Sequence, residues 1–470
     1  MNWLNTVKNK ISTTYHDVRA MKKVRELFLY PKESTLSNLS YILLILFFLS
    51  PVYRLLNSLT LDFHDPSFYF VNDSILARDL FHYLQPLGYF GLFIALFTIA
   101  RSIIIARDDD IELIDYIKRY ILPILLTLFL LLAFFSALFS DNWAISFYGH
   151  PYRKEGFITY LAYAGLFSAA YQLKSTRRIY CLLIPFLLSG TLLSIFSLLD
   201  IEYINNLFTL TKASSIFHNA NHYAYFLNIS ILASILAIYL YKGKSRIITI
   251  VPYIILGLLT YTLIDNGSFG SYIGAVFGVT MLSIFVFTYH PKERKRLSVI
   301  VLIFLLSSLA SSMDGNFIAS ELSKIAGGTS DIIEGNEQAP SAGSGRWSLW
   351  TQALDFTLEK PIFGYGVDNL GDAYLEAGNT SDRPHNEYLQ IAASIGIPAL
   401  IVYLSTLTIH FLDLLKNRTH FSLIIYSLYA IVFAYLVSAF FGNSMYYTTP
   451  YYIVFLALSI QQMQKESTNL

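Results

Sequence analysis

The chain has little charge and almost no cysteine. Of its 470 residues, 14% are charged and 54% are hydrophobic, so a soluble protein of this length would lack the charges that cover a surface. The single cysteine, Cys181, excludes a disulfide framework. The formal net charge of +1 does not indicate a nucleic-acid partner, and we predict none.

Long apolar runs take the place of the missing charge. Runs of about 17–25 residues recur, and each is long enough to cross a bilayer as a helix. A membrane β-barrel is excluded because it would show short alternating segments instead. We therefore predict an all-α, polytopic bundle of about twelve transmembrane helices. The predicted centres are Leu46, Leu96, Leu130, Ala164, Leu188, Ala233, Leu256, Val279, Phe304, Leu400, Ile431 and Phe455.

The basic residues predict the orientation of these spans. If each span crosses the membrane in turn, every second connecting segment lies on the same side. One side then carries 24 of the 33 lysine and arginine residues, and this excess marks the cytoplasmic side. We predict a plasma-membrane protein with both termini in the cytoplasm. Residues 1–36 are basic and lack the compact apolar core of a signal peptide, so we predict a cytoplasmic N-terminal segment.

The predicted spans divide the rest of the chain into four parts. Spans 1–9 occupy residues 37–313, and spans 10–12 occupy residues 386–463, followed by a cytoplasmic tail at 464–470. Between the two groups of spans lies an extracytoplasmic loop, residues 314–385. A loop of about 72 residues is too long for a mere connector, so we expect it to carry function.

The two halves of this loop have different compositions. The stretch Gly327–Gly345 is rich in Gly, Ser, Asp and Glu, and we predict that it is flexible. In the second half, four apolar side chains at helical spacing predict an ordered helix that ends before Pro361. These side chains are Trp347, Trp350, Leu354 and Leu358. We expect a turn at Gly364-Tyr365-Gly366.

The most suggestive polar group is Arg383-Pro384-His385-Asn386, where the long loop runs into an apolar helix. Ionisable side chains at a membrane boundary are costly, so they are functional candidates. A histidine can accept a proton near neutral pH, and an arginine fork binds phosphate oxygens. With Arg153 and Arg346 also on the outer side, the set would suit displacement of a phosphate-type leaving group by a hydroxyl.

Each candidate also has a structural explanation. Lone loop arginines are more often solvated or bound to headgroups than catalytic. His218 and His222 have the i, i+4 spacing of a metal pair, but no carboxylate or cysteine stands nearby. We therefore predict no metal site, and we favour interfacial or helix-capping positions for these two histidines.

The pattern of motifs resembles the O-antigen ligase and Wzy-type polymerase superfamily. His385-Asn386, followed after nine intervening residues by Gly396, is similar to the signature of that family. Three further elements are similar to family elements in the same order. They are Arg153-Lys154-Glu155-Gly156, Phe217-His218-Asn219-Ala220-Asn221, and the stretch from Ser344-Gly345-Arg346 through Trp350 to Pro361-Ile362-Phe363-Gly364-Tyr365-Gly366.

The resemblance implies a GT-C-like membrane glycosyltransferase that needs no metal or other cofactor and inverts the anomeric centre. Such an enzyme transfers a glycan from a polyprenyl diphosphate, such as undecaprenyl diphosphate, to a hydroxyl acceptor at the outer membrane face. The resemblance further implies that His385 is the base or acceptor-orienting group, and that Arg153 and Arg346 clamp the diphosphate. The residues implied in substrate binding are Asn386, Arg383, Asn219, Asn221, His218 and Tyr388.

Two departures from the family pattern carry information. Where the family often has Ser-Arg-Gly, this chain has Ser268-Phe269-Gly270, so we expect Arg383 to replace a missing phosphate-binding arginine. The second glycine that ligases tend to carry after Gly396 is absent, which favours a polymerase of capsule or exopolysaccharide type.

Three other functions remain open at this point. They are an oligosaccharide ligase acting on a lipid or protein acceptor, a flippase for lipid-linked oligosaccharides, and a glycan-binding scaffold. A flippase is disfavoured because the span centres are almost free of charge. The expected partners are the lipid-linked donor, a glycan hydroxyl acceptor, membrane lipids and polysaccharide-export proteins.

The predicted orientation can be tested with cysteines at Ser341 and Ser467 in a Cys181→Ser background. An impermeant thiol reagent added to whole cells should label position 341 and leave position 467 unlabelled. The opposite labelling pattern would overturn the orientation.

Overall fold

The computed structural model describes residues 22–23, 25–58, 68–151, 153–208, 210–217, 219–241, 243–313, 317–335, 342–343 and 345–467. Within these residues the protein is helical and contains no strand. The first nine helices are α1 (Glu33–Phe48), α2 (Ser50–Ser58), α3 (Phe68–Asp108), α4 (Leu113–Leu138), α5 (Trp143–Tyr148), α6 (Phe157–Tyr171), α7 (Thr176–Leu199), α8 (Glu202–Phe208) and α9 (Ala220–Leu240).

Ten more helices follow in the second half of the chain. They are α10 (Arg246–Asp265), α11 (Phe269–Tyr289), α12 (Arg294–Met313), α13 (Phe317–Glu334), α14 (Arg346–Glu359), α15 (Gly371–Glu376), α16 (Glu387–Ile395), α17 (Ile397–Lys416), α18 (Leu423–Ala439) and α19 (Thr449–Ser467). A short 3₁₀ turn, Pro291–Glu293, leads into α12.

Within the described residues, eight helices are long and apolar enough to cross a membrane, by length and composition. A ninth span results if α1 and α2 form one membrane-crossing pair, which bends by 47° between them. Pro51 explains the bend, because it has no N–H and its ring clashes with the preceding turn. All twelve predicted centres lie inside helices, and the prediction of an all-helical membrane bundle is confirmed. The number twelve stays a prediction, since α6 and α18 have only 15 and 17 residues.

Helix α9 is the central element of the bundle. Its apolar window is 94% buried, as expected for a helix that is hydrophobic on every side. Beside it, α11 and α18 cross closely because Gly274 has no side chain. A Cβ there would lie 2.5 Å from the carbonyl oxygen of Ala434. This close crossing places Ser438 where the Asn228 amide donates to its hydroxyl, at 2.8 Å.

A second glycine crossing joins α3 to α6. A Cβ on Gly165 would lie 1.8 Å from the carbonyl oxygen of Gly88, so no larger residue fits there. Small residues allow backbones to approach when lipid supplies no hydrophobic driving force between helices. This crossing fixes α6, whose N-terminus carries the loop that contains Arg153.

The long loop differs from its prediction in the first half and agrees in the second. Helix α13 covers the described residues 317–334, so the part of Gly327–Gly345 that lies in it is helical, which the composition did not predict. Two glycines cost a helix about 1 kcal/mol each relative to alanine, and neighbours such as Ile325 and Ala326 favour the helix. The predicted ordered helix is confirmed as α14.

The buried face of α14 is not the predicted face. Leu349, Ala353 and Phe356 pack inward, whereas Leu354 is 50% and Leu358 is 75% exposed. Both stripes have helical spacing, and only the surrounding loop decides which one is covered.

Candidate active site

A buried ion pair joins the segments that form the site. The guanidinium of Arg383 lies 2.5 Å from Asp368 Oδ1, and these side chains are 2% and 3% exposed. Arg383 also donates to the carbonyl oxygen of Ser444, at 2.7 Å. The second oxygen of Asp368 accepts the backbone N–H groups of His150, at 2.8 Å, and Glu155, at 3.1 Å. Both charges are thus paired and hydrogen-bonded, as buried charges must be.

This ion pair ties the early loop, residues 149–156, to the end of the long loop. The early loop folds back tightly, with positive φ angles at Gly149 and Lys154. A Cβ on Gly156 would lie 2.2 Å from the backbone nitrogen of Gly149, so glycine is required there. The Arg-x-x-Gly element is therefore a folding requirement as well as a source of a cation.

Arg153 projects from this loop onto Asp382. Its Nε lies 2.6 Å from Oδ2 and its Nη2 lies 2.8 Å from Oδ1, which is a bidentate pair. Burial raises the pKa of Asp382, but the hydrogen bond from Arg153 and the charges of Arg383 and Arg153 outweigh it and lower that pKa to about 2. Asp382 is therefore ionised throughout the physiological range.

His385 is held in a strained position two residues after Arg383. Its φ of 52° lies in the left-handed region, which is uncommon for a residue other than glycine and costs on the order of 1–3 kcal/mol. The Asn386 side chain then caps α16 by accepting the backbone N–H groups of Tyr388, at 3.0 Å, and Leu389, at 3.1 Å. The buried arginine on one side and the helix cap on the other fix the imidazole.

The surroundings keep His385 neutral. Burial, together with the charges of Arg346 and Arg153 and against the opposing effect of Asp382, lowers the pKa of His385 to about 4. Its Nδ1 lies 3.1 Å from the Asn443 amide nitrogen, which places the proton on Nε2. Turning that amide over would make it accept from Nδ1–H and leave Nε2 free to take a proton.

Arg346 opens α14 and lines a polar cavity of about 190 Å³. Asn221, Ser268 and Glu321 line the same cavity, and the Ser268 hydroxyl donates to the Asn221 side chain, at 2.8 Å. Asn219 caps α9 by accepting the N–H of Asn221, also at 2.8 Å. Arg346 makes no ion pair within the described residues, and burial lowers its pKa without threatening its charge.

The structure therefore changes the expectation for Ser268-Phe269-Gly270. This segment lines the cavity, and the arginine that shares it is Arg346. Arg383 was expected to compensate for the missing arginine, but its guanidinium is occupied by Asp368 and Ser444. Its position is that of a buried organiser of the loop.

Two other sequence motifs, the turn 361–366 and Gly396, pack against each other. The turn 361–366 docks against the junction between α16 and α17, where the Tyr365 N–H donates to the carbonyl of Ala393, at 2.9 Å. A Cβ on Gly396, whose φ is 106°, would lie 2.1 Å from the Ile362 carbonyl oxygen. Gly396 and the turn upstream thus depend on each other.

The remaining predicted residues have different surroundings. His222 is buried with its ring 5.7 Å from that of Tyr447, and His218 lies outside the described residues. The Tyr388 hydroxyl donates to the carbonyl of Leu436, at 2.8 Å, which is a packing contact between helices. In the described part of the chain, no group of three His, Cys, Asp or Glu side chains could hold a metal.

Sequence reasoning missed the carboxylates and the amide that organise the cations. Asp368, Asp382, Glu321 and Asn443 carry no motif that distinguishes them from other loop residues. Only the positive φ of Asp368, 57°, fits a local pattern, because Asp tolerates the left-handed region in turns.

Comparison with known proteins agrees with this geometry. Residues 253–404 match a family model described as O-antigen ligase. This stretch of the chain is similar to the O-antigen ligase family. The matched segment covers about a third of the chain and contains Arg346, Asp368, Arg383 and His385, whereas Arg153 lies before it. A search of curated proteins finds no match.

We expect Asp368→Asn to destabilise the fold. Arg383 would lose its counter-charge while remaining buried, a change that typically costs about 3–5 kcal/mol. Thermal unfolding of the purified protein in detergent measures the loss. As a control, Asp141→Asn removes a carboxylate that is 79% exposed and pairs with Lys360, and it should change little. Equal stability of the two variants would contradict the organising role of Asp368.

Proposed function

We propose that the protein transfers a glycan from a polyprenyl diphosphate carrier to a hydroxyl acceptor at the outer face of the plasma membrane. The observation that carries this proposal is a neutral, mostly buried His385 within electrostatic range of Arg346, Arg153 and Arg383. The cluster lies where the long loop meets apolar helices, so a lipid-borne anion can reach it from the bilayer. The match of residues 253–404 to the O-antigen ligase family model supports the same class of reaction.

Arg346 is proposed as the main ligand of the donor diphosphate. Its cavity of about 190 Å³ has room for about six waters at liquid density, and hydroxyl and amide groups line it beside the cation. Arginine can supply two parallel N–H donors to phosphate oxygens. Glu321 faces the same cavity and exerts a charge interaction on Arg346, so a bound diphosphate would compete with it.

Arg153 is proposed as the second clamp, and Asp382 as the anion that holds it in the absence of donor. The bidentate geometry of this pair is the geometry that a phosphate group would need. When a donor phosphate replaces Asp382, the Arg153 guanidinium stays paired with an anion. Two arginines can neutralise the departing diphosphate as the glycosidic bond breaks, and we propose that no metal ion takes part.

His385 is proposed as the base. The acceptor oxygen attacks the anomeric carbon with inversion while the bond to the diphosphate oxygen breaks. The hydroxyl proton passes to Nε2 of His385, and the carrier leaves as polyprenyl diphosphate. This step uses the turned-over orientation of the Asn443 amide, in which its oxygen accepts from Nδ1–H, leaves Nε2 free and stabilises the imidazolium that forms.

Donor binding and base strength are coupled in this arrangement. The cationic charges of Arg346 and Arg153 help to lower the pKa of His385. A bound diphosphate would offset those charges and raise the pKa towards its ordinary value, near 6.5. His385 would thus become an effective proton acceptor only when the donor is in place.

We favour a polymerase, with the growing polysaccharide as acceptor, because no second glycine follows Gly396-Ile397-Pro398-Ala399. We also propose twelve spans with both termini in the cytoplasm, and export proteins as partners.

Purified protein supplied with lipid-linked repeat units separates the alternatives. Polymer formation supports a polymerase, whereas transfer of a single unit to a lipid or protein acceptor supports a ligase.

Substitution of His385 tests the base. General base catalysis contributes about 10²–10⁴-fold, so His385→Ala should reduce polymer by that order while lipid-linked units accumulate. His385→Gln can orient a hydroxyl but cannot take its proton, so activity restored by glutamine would favour positioning. The control is His420→Ala, which alters an exposed histidine between α17 and α18. Full activity of the Ala variant would remove His385 from the mechanism.

Substitution of the arginines tests the clamp. Arg346→Lys and Arg153→Lys keep the charge but lose the planar fork, so turnover should fall on the order of 10²-fold. Arg107→Lys, at an exposed position in α3, is the matched control. Glycan chain length in cells and turnover of purified protein measure the effect. Near-normal synthesis by both variants would exclude a bidentate clamp.

A further inference from the structure

A second cavity lies at the end of α9 away from the candidate active site. Asn219 caps the first end of this helix, and Tyr241 caps the last. A helix of 21 residues rises about 30 Å, which is the thickness of the hydrocarbon core of a bilayer. The second cavity, of about 250 Å³, includes Tyr241 and therefore belongs to the opposite membrane face.

The walls of this cavity combine one cation with an apolar surface. Arg296 lies on one side together with Tyr253, and Ile238, Ile248 and Pro252 supply the apolar wall. Arg296 lies 3.1 Å from Glu293, but the two side chains are 39% and 28% exposed, so the pair is weak and can exchange partners.

A buried hydroxyl lies next to the cavity. Tyr239 is 3% exposed, and its hydroxyl has no hydrogen-bond partner among the described residues. It lies within electrostatic range of Glu293, Tyr253 and Arg296. Buried polar groups normally have a partner, so an additional acceptor at this position would satisfy it.

The charge around the cavity is strongly positive. Among the described residues of the two segments that border it there are five further basic residues, and Glu293 is the acidic residue there. The basic residues are Lys244, Arg246, Lys292, Arg294 and Lys295. Such clusters next to membrane helices attract the anionic headgroups of the adjoining leaflet.

The open side of the cavity faces lipid. Along α10, Ile248 is 45%, Ile250 is 54% and Ile254 is 64% exposed, and no charged side chain lies among them. An exposed isoleucine stripe on a membrane helix is the surface that acyl chains contact. A ligand that enters from this side must therefore carry a hydrocarbon chain as well as a charge.

We propose that this cavity binds the phosphate headgroup of an anionic phospholipid. The phosphate lies beside Arg296 with the tyrosine hydroxyls around it, and an acyl chain runs over Ile248 and Pro252. The site is separated from the His385 cluster by the length of α9, so it does not depend on the proposed transferase reaction. Its effect is to anchor α9, α10 and α12 in one leaflet.

Full-length protein purified in a nonionic detergent tests this site. Phosphatidylglycerol added to the micelles should raise the Tm, and phosphatidylcholine should not. Arg296→Gln should weaken phosphatidylglycerol binding on the order of tenfold, because it removes a direct hydrogen bond between a charged group and the phosphate. Lys295→Gln makes the same charge change at the neighbouring exposed position and should keep the wild-type affinity. Ile248→Trp fills the groove without changing charge and should also weaken binding.

Three results would overturn the proposal. The first is an equal loss of affinity in Arg296→Gln and Lys295→Gln, which would show general attraction to the leaflet. The second is wild-type binding by Ile248→Trp. The third is an equal rise in Tm with inorganic phosphate, which would assign the cavity to a soluble anion.

Discussion

The buried pair of Arg383 and Asp368 is the interaction on which the candidate site depends. Asp368 binds one guanidinium and two backbone N–H groups from a loop more than 200 residues earlier. Arg383 binds the backbone at Ser444 on a third segment. Three loops that connect different helices are thus fixed to each other at one point. Loss of either partner would leave an unpaired buried charge. The three loops therefore keep this arrangement together or lose it together.

This constraint explains how cations can surround a histidine without charging it. The loops place Arg346, Arg153 and Arg383 around His385, and their combined charge, together with burial, lowers its pKa to about 4. Asp382 opposes the effect but is committed to Arg153. The site therefore has a net attraction for anions and an unprotonated base, a combination that suits a lipid diphosphate donor and a neutral hydroxyl acceptor.

Sequence reasoning predicted the helices well because membrane spans depend on local composition. Every predicted centre lies in a helix, and His385, Arg153 and Arg346 do converge. The carboxylate partners were missed because Arg153 and Asp382 are 229 residues apart, and no local pattern links them. The inward face of α14 was also missed, since tertiary packing chose between two apolar stripes. Arg383 illustrates the same limit, because only the fold shows that its charge is already paired.

The pH dependence of turnover by the purified protein tests the central claim most directly. The acid limb of kcat/KM reports the free enzyme, and that of kcat reports the donor complex. The account predicts an acid limb of kcat/KM near pH 4, the depressed pKa of His385, and an acid limb of kcat at clearly higher pH. Both limbs should disappear in His385→Gln. Coincident limbs near pH 6.5, or limbs that persist in His385→Gln, would contradict a base controlled by the arginines that bind the donor.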